Sequence, residues 1–191
     1  MNKIIGILGM QGAIAEHQEI LLQIPHTKTR IVKTAKDLDC IDGLILPGGE
    51  STAIGKLLDY FSLKEILRQK IISGLPVFGT CAGLILLAKN IENETNTHLA
   101  TMDITVKRNG YGSQLDSFST NLLIPTIDKN MPIPLVFIRA PYITKTDKDV
   151  QILATLDNKI IAARQKNMLV SSFHPELTCD LRFHQYFLSM I

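Results

Sequence analysis

Two rhythms of apolar residues alternate along the first half of the chain. "KIIGILG" (Lys3–Gly9) is a short apolar run closed by glycine, which predicts a strand buried on both faces. Ile14, Ile20, Leu21 and Ile24 then recur near helical spacing. "TRIVK" (Thr29–Lys33) predicts a second strand, and "DGLILPGGES" (Asp42–Ser51) a third that stops at Pro47 and two glycines. Ile54, Leu57, Leu58 and Phe61 return to helical spacing. Ser62 with Glu65 three residues on predicts a capping box opening the next helix, and Gly74 its end. "LPVFGT" (Leu75–Thr80) is the fourth strand, and "AGLILLAKN" (Ala82–Asn90) reads as the helix after it.

Strand followed by helix, repeated, argues for parallel strands joined by right-handed crossovers, with helices on both faces of the sheet. In such sheets ligands bind beyond the C-terminal strand ends. Both glycine-rich corners, Pro47–Ser51 and Gly79–Gly83, fall at such ends. The second half is richer in strand-like runs: "DITVKRNGYG", "PLVFIRAPYI", "VQILATL", "KIIAARQ" and "MLVSSFHPE". Asp157-Asn158 between two of them predicts a hairpin, "ENETNTH" (Glu92–His98) an exposed polar loop, and "CDLRFHQYFLSMI" a closing helix. No linker, low-complexity stretch or internal repeat interrupts the chain, so residues 1–191 are expected to form a single domain.

Composition narrows the function classes. With 46% hydrophobic and 20% charged residues, the chain reads as an ordinary globular protein. A net charge of +2, no long basic run, no Trp and few aromatics speak against nucleic acid and anionic membranes as partners. No apolar run reaches the roughly 18 residues a membrane span needs. The three separated cysteines, Cys40, Cys81 and Cys179, fit neither a disulfide framework nor a zinc site, and suit a reducing, cytoplasmic setting.

The chemistry concentrates at one corner. Gly79-Thr80-Cys81-Ala82-Gly83 is G-x-C-x-G, the thiol form of a strand–turn–helix nucleophile elbow. Such a turn holds Sγ out at the sheet edge, and the helix starting at Ala82 aims free N–H groups at the sulfur, a setting that favours a reactive thiolate. A buried core cysteine is the plain alternative for Cys81 taken alone. "SSFHPEL" supplies what a nucleophile needs besides: His174 as base and Glu176 to fix its tautomer, with Pro175 stiffening the turn between them. For a developing oxyanion, the Ala82 N–H is one donor, and Gly48 or Gly49 offers a second. Cys40 and Cys179 lack such a context, as do His17, His26, His98 and His184, which read as solvated or structural. Arg139 in "FIRAP" and Arg108 in "VKRNGYG" each fit a structural ion pair or a grip on an anionic substrate group.

"LPGGES", "FGTCAGLILLA", "RNGYG", "FIRAP" and "SFHPEL" together resemble the glutaminase subunits of pyridoxal 5′-phosphate synthases, which are class I (triad) glutamine amidotransferases. The order and spacing match from "GILGMQGA" to the final helix. The elbow is common to the superfamily; "PGGES" and "RN-G/S/A-Y/F-G" are more specific. The resemblance implies a three-layer α/β/α, flavodoxin-like fold around a mostly parallel sheet. It implies Cys81 as nucleophile, His174 as base and Glu176 as its orienter, with Gly49, Glu50, Ser51, Arg108, Ile138 and Arg139 around L-glutamine. The implied reaction releases ammonia without metal or organic cofactor and feeds a (β/α)8-barrel synthase subunit. Gln11 in "GMQG" is where coupling to that partner is expected. Three other readings stay open at this stage: a glutaminase serving another synthase, a non-catalytic binding module on the same scaffold, and a cysteine hydrolase with another substrate.

Overall fold

The computed structural model of the chain describes residues 2–110 and 117–191; Tyr111 and Gly112 of the "RNGYG" motif lie outside them. The first half follows its apolar rhythm closely: β1 (Lys3–Leu8), α1 (Ile14–Leu22), β2 (Thr27–Val32), β3 (Gly43–Leu46), α2 (Ser51–Tyr60), α3 (Lys64–Ile72), β4 (Val77–Thr80) and α4 (Ala82–Leu87). Then come β5 (Ala88–Ile91), β6 (Met102–Lys107), β7 (Ser117–Leu122), β8 (Ile133–Ile138), β9 (Tyr142–Thr146), β10 (Gln151–Leu156), β11 (Lys159–Gln165), β12 (Met168–Ser171) and α5 (Arg182–Leu188).

Among the described residues the main sheet runs β2-β1-β3-β4-β12-β11-β9-β6-β5, with β10 paired to β11 outside that path. Its first five strands are mutually parallel, and β11 turns the direction. β7 and β8 form a separate antiparallel ribbon. Successive residues of the central strands point to opposite faces. Leu44 and Leu46 join Ile54, Leu58 and Leu84 on one side of the sheet. Ile45 and Phe78 join Leu21, Phe183 and Phe187 on the other. Two apolar cores, one on each face, make the three-layer α/β/α sandwich that the sequence implies.

Three local expectations are corrected. The helix expected over Ala82–Asn90 ends at Leu87. All six of its residues are buried, so the apolar run carries no periodicity to mark an end, and Ala88–Ile91 extends to pair with β6. Ser62 opens no capping box: its φ is 54°, and α3 starts at Lys64 without a side-chain cap. A capping box forms instead at Thr34 and Asp37, over a short 3-10 helix. "PLVFIRAPYI" is two strands rather than one, broken where Arg139 takes φ 42°. Gly74, at φ 108°, does close α3, and Asp157 and Asn158, both at positive φ, make the β10–β11 hairpin turn. α5 is anchored at its start by Arg182, which donates to Asp128 Oδ2 (2.8 Å) and to the carbonyls of Met131 and Pro132 (2.9 Å each). Among the described residues no helix is long and apolar enough to cross a membrane.

Candidate active site

β4 ends at Thr80 and α4 begins at Ala82, so Cys81 alone turns the chain. It does so at φ 48°, ψ −98°, a conformation that costs a β-carbon residue about 1–3 kcal/mol and persists only when its surroundings impose it. They do. The Cys81 N–H donates to Ser171 O on β12 at 2.8 Å. A Cβ on Gly83 would sit 2.1 Å from Leu46 O, so only glycine lets α4 start this close to β3. The thiol is mostly covered, at 8% exposure, yet it forms part of the wall of an open cleft of about 540 Å3.

β12 lies parallel beside β4, and this brings the far end of the chain to the same corner. His174 and Glu176 follow β12, with Pro175–Leu177 in a single 3-10 turn. The His174 backbone N–H is fixed to Val136 O at 2.8 Å, and its Nδ1 lies 2.7 Å from Glu176 Oε1. Burial disfavours charge on His174, but the Cys81 side chain and then the Glu176 carboxylate outweigh it, pushing the imidazole up to about 10. Burial likewise opposes ionisation of Glu176, and His17 and His174 overcome it, holding the carboxyl below its ordinary range. At neutral pH the arrangement is therefore an imidazolium between a sulfur and a buried carboxylate.

The loop after β3 closes the cleft from the side. Ala13 N–H donates to Gly48 O at 3.0 Å, and Gln11 Oε1 accepts from Glu50 N–H at 2.8 Å. A Cβ on Gly48 would lie 2.4 Å from His174 Cε1, so the loop backbone touches the imidazole. Glu50 caps α2, accepting from Thr52 N–H (3.0 Å) and Ala53 N–H (2.6 Å), and pairs with Arg108 Nη2 at 3.1 Å. These donors and Arg108 outweigh burial and hold its carboxyl low. Ser51 next to it is 2% exposed and lines the cleft with an Oγ that has no partner among the described residues, an open position for a ligand's polar group.

Arg108 Nη1 donates to Thr52 Oγ1 (3.1 Å) and to Glu94 Oε1 (3.2 Å). Ile138, the last residue of β8, and Arg139 after it also line the cleft. The structure thus gathers Gln11, Gly48, Gly49, Glu50, Ser51, Cys81, Ala82, Arg108, Ile138, Arg139 and His174 around one cleft, with Glu176 directly behind His174.

Of the two readings open for His17 and His184, solvated or structural, the structure selects the second: both are 0% exposed and stand behind Glu176. Periodicity carried the signal for their burial, since His17 shares a helix face with Ile20 and Leu21, and His184 with Leu188. Glu94, in the polar loop, gave no sign of its contact with Arg108.

A central, mostly parallel sheet, a strained cysteine at a strand–helix corner and a His–Glu pair just after the adjoining strand make this the fold of the class I glutamine amidotransferases. A solved structure described as a glutamine amidotransferase superposes with a TM-score of 0.89 at 39% identity, covering 97% of each chain. A more distant match, at 15% identity and a TM-score of 0.73 over 99% of each chain, is described as PurLQS from Thermotoga maritima and shows the fold alone. The model of the SNO glutamine amidotransferase family matches residues 7–191, and the chain belongs to that family. Among its relatives is a pyridoxal 5′-phosphate synthase subunit PdxT from Ruminiclostridium cellulolyticum, 53% identical over 99% of this chain and 100% of the relative. Another of the same description, from Carboxydothermus hydrogenoformans, is 54% identical over 98% and 97%.

Proposed function

We propose that the chain is the glutaminase subunit of a pyridoxal 5′-phosphate synthase, hydrolysing L-glutamine to glutamate and supplying the ammonia to a synthase partner. The observation that carries this reading is the meeting of Cys81, His174 and Glu176 in one cleft, in a chain of this family.

The steps follow from the groups present. The Cys81 sulfur attacks the side-chain amide carbon of glutamine. Negative charge gathers on the carbonyl oxygen, toward the Ala82 N–H and an N–H of the Gly48–Gly49 loop. His174, already protonated, gives its proton to the departing nitrogen, so NH3 leaves and a γ-glutamyl thioester remains on Cys81. Neutral His174 then takes a proton from water as the hydroxyl oxygen attacks the thioester. Glutamate leaves, and the proton returns the pair to its resting state. Glu176 keeps the Nδ1 proton in place throughout. Arg108 and Arg139 suit the substrate's α-carboxylate, and the Ser51 hydroxyl a further polar group.

If Arg108 grips that carboxylate, Glu94 competes with it for the guanidinium. Glu94→Gln is therefore expected to lower KM for glutamine by about two- to fivefold, the worth of a partly exposed ion pair, with kcat little changed. Steady-state kinetics of the two proteins checks this.

Ammonia at neutral pH is mostly protonated and no longer nucleophilic, so a useful glutaminase delivers NH3 within a complex. The partner we assign is the (β/α)8-barrel synthase subunit, with coupling through Gln11, whose side chain holds the Glu50 N–H of the oxyanion loop. Ammonia release should rise severalfold or more when that subunit is added, and Gln11→Ala should blunt the rise. An isolated chain already at full speed would refute the coupling. No ammonia release with the barrel subunit present would refute the function.

A further inference from the structure

The triad does not end at Glu176. Its Oε1 is taken by His174, whereas Oε2 is buried with no hydrogen-bond partner among the described residues. His17 Nε2, on α1, lies 3.6 Å from Oε2. The same nitrogen lies 3.1 Å from Thr80 Oγ1, the residue before the nucleophile. On the other side of the ring, His17 Nδ1 is 3.0 Å from His184 Nε2 on α5. His184 Nδ1 is buried without a partner among the described residues. Both imidazoles sit among Phe78 and the apolar face beneath the sheet.

We infer that His17 is a positioning residue for the triad, with His184 setting its tautomer, so that the working unit is the chain Cys81–His174–Glu176–His17–His184. This rests on the glutaminase reading above and deepens it.

The tautomers follow from which buried groups can be left unpaired. Two neutral imidazoles joined by one hydrogen bond have two arrangements. If His17 Nδ1 carried the proton, it would donate to His184 Nε2. His184 would then bury an N–H at Nδ1 with nothing to receive it, and His17 would turn a lone pair toward the Glu176 carboxylate. Both are costly. In the other arrangement His184 Nε2–H donates to His17 Nδ1, and His17 Nε2–H points at Thr80 Oγ1 and Glu176 Oε2. The unpartnered His184 Nδ1 is then a bare lone pair among apolar rings, the cheaper group to leave alone. Burial keeps both rings neutral, lowering His17 and taking His184 down to about 3. The charged and titratable groups around His17 are Glu176, His174, His184 and, on its own helix, Glu16.

A separation of 3.6 Å is too long for a full hydrogen bond, but an N–H dipole at that range in a dry interior still steadies an anion. His17 therefore supports the one carboxylate oxygen that His174 does not use. α1 begins directly after Ala13, whose N–H holds Gly48, so one helix sets both the oxyanion loop and the back of the triad.

The test compares wild type, His17→Leu, His17→Gln and His184→Leu, each in complex with the synthase subunit. Leucine removes the donor; glutamine keeps one donor and one acceptor. For His17→Leu we expect kcat to fall about 10- to 100-fold, as when other outer groups that orient catalytic side chains are removed. KM should change by less than about twofold, since His17 does not line the cleft. The acid limb of the kcat–pH profile should move to higher pH, because Glu176 without its neighbour ionises less readily. His17→Gln should restore most of kcat and return the limb, and His184→Leu should shift the limb in the same direction by less. Peptide-resolved alkylation of Cys81 by iodoacetamide should show the same ordering without any substrate. Should His17→Leu fail to fold, the Gln and His184 variants carry the comparison. Unmoved kcat and pH limb in all variants would overturn the inference, as would a fall in kcat with an unmoved limb and no rescue by glutamine. Wild-type turnover separates the levels: an inactive wild type removes the glutaminase reading and this inference with it, whereas an active wild type with indifferent variants removes the inference alone.

Discussion

Replacing Cys81 with alanine is expected to reduce glutamine hydrolysis by about 10⁴-fold or more, the scale on which loss of a triad nucleophile is felt. The change removes one sulfur from the cleft wall and leaves the backbone bond from residue 81 to Ser171 O intact. Fold and docking to the synthase should survive, as read by circular dichroism and co-elution. A second consequence is specific to this site. The Cys81 side chain is the largest contributor holding His174 up at about 10 against the cost of burial. In Cys81→Ala that support is gone and only Glu176 remains, so the His174 titration followed by NMR should move to lower pH. A variant that stays active, or one whose His174 titrates as before, would place the chemistry elsewhere.

Gly48→Ala is the second large effect. A methyl there would stand 2.4 Å from His174 Cε1 and 3.0 Å from Nδ1, closer than real Cβ contacts come. Neither side is free to yield. The imidazole is tied to Glu176 at 2.7 Å, and the loop is tied through Gly48 O to Ala13 and through Glu50 N–H to Gln11. Whichever moves, the imidazole or the oxyanion donors leave their places, and displacement of about 1 Å costs on the order of 10²-fold in kcat. Gly74→Ala is the control. It meets nothing within 4 Å among the described residues, but at φ 108° it strains the backbone, so it should lower the melting temperature and leave kcat alone. Equal activity of the two variants would mean that the Gly48 loop does not border the reacting groups.

What could be read from the sequence, and what could not, follows the physics of each signal. The parallel strands β1, β3 and β4 were legible because strands buried on both faces are short apolar runs stopped by glycine or proline. The corner at Cys81 was legible because a turn this tight admits few residues beside it. The end of α4 was hidden, since Leu84 to Leu87 are all buried and no face marks where the helix stops. β7 was hidden for the opposite reason: Ser117, Ser119 and Asn121 face solvent on a two-stranded ribbon, and the run has little apolar content. His17 and His184 were legible as buried positions but not as neighbours of Glu176. A neutral histidine on an apolar helix face has the same pattern whether it packs or positions, and only the sheet order brings α1, α5 and β12 together. The hold of Glu94 on Arg108 joins two loop ends, and nothing in local spacing encodes it.

Glutamine is expected to pass through a covalent intermediate on one particular sulfur, that of Cys81. Rapid acid quench of the complex turning over isotopically labelled glutamine, followed by peptide mapping, tests it most directly. A γ-glutamyl thioester is expected on the peptide carrying Cys81 and none on those carrying Cys40 or Cys179. Ammonia released at the full rate with the label on another residue, or on none at any quench time, would contradict it.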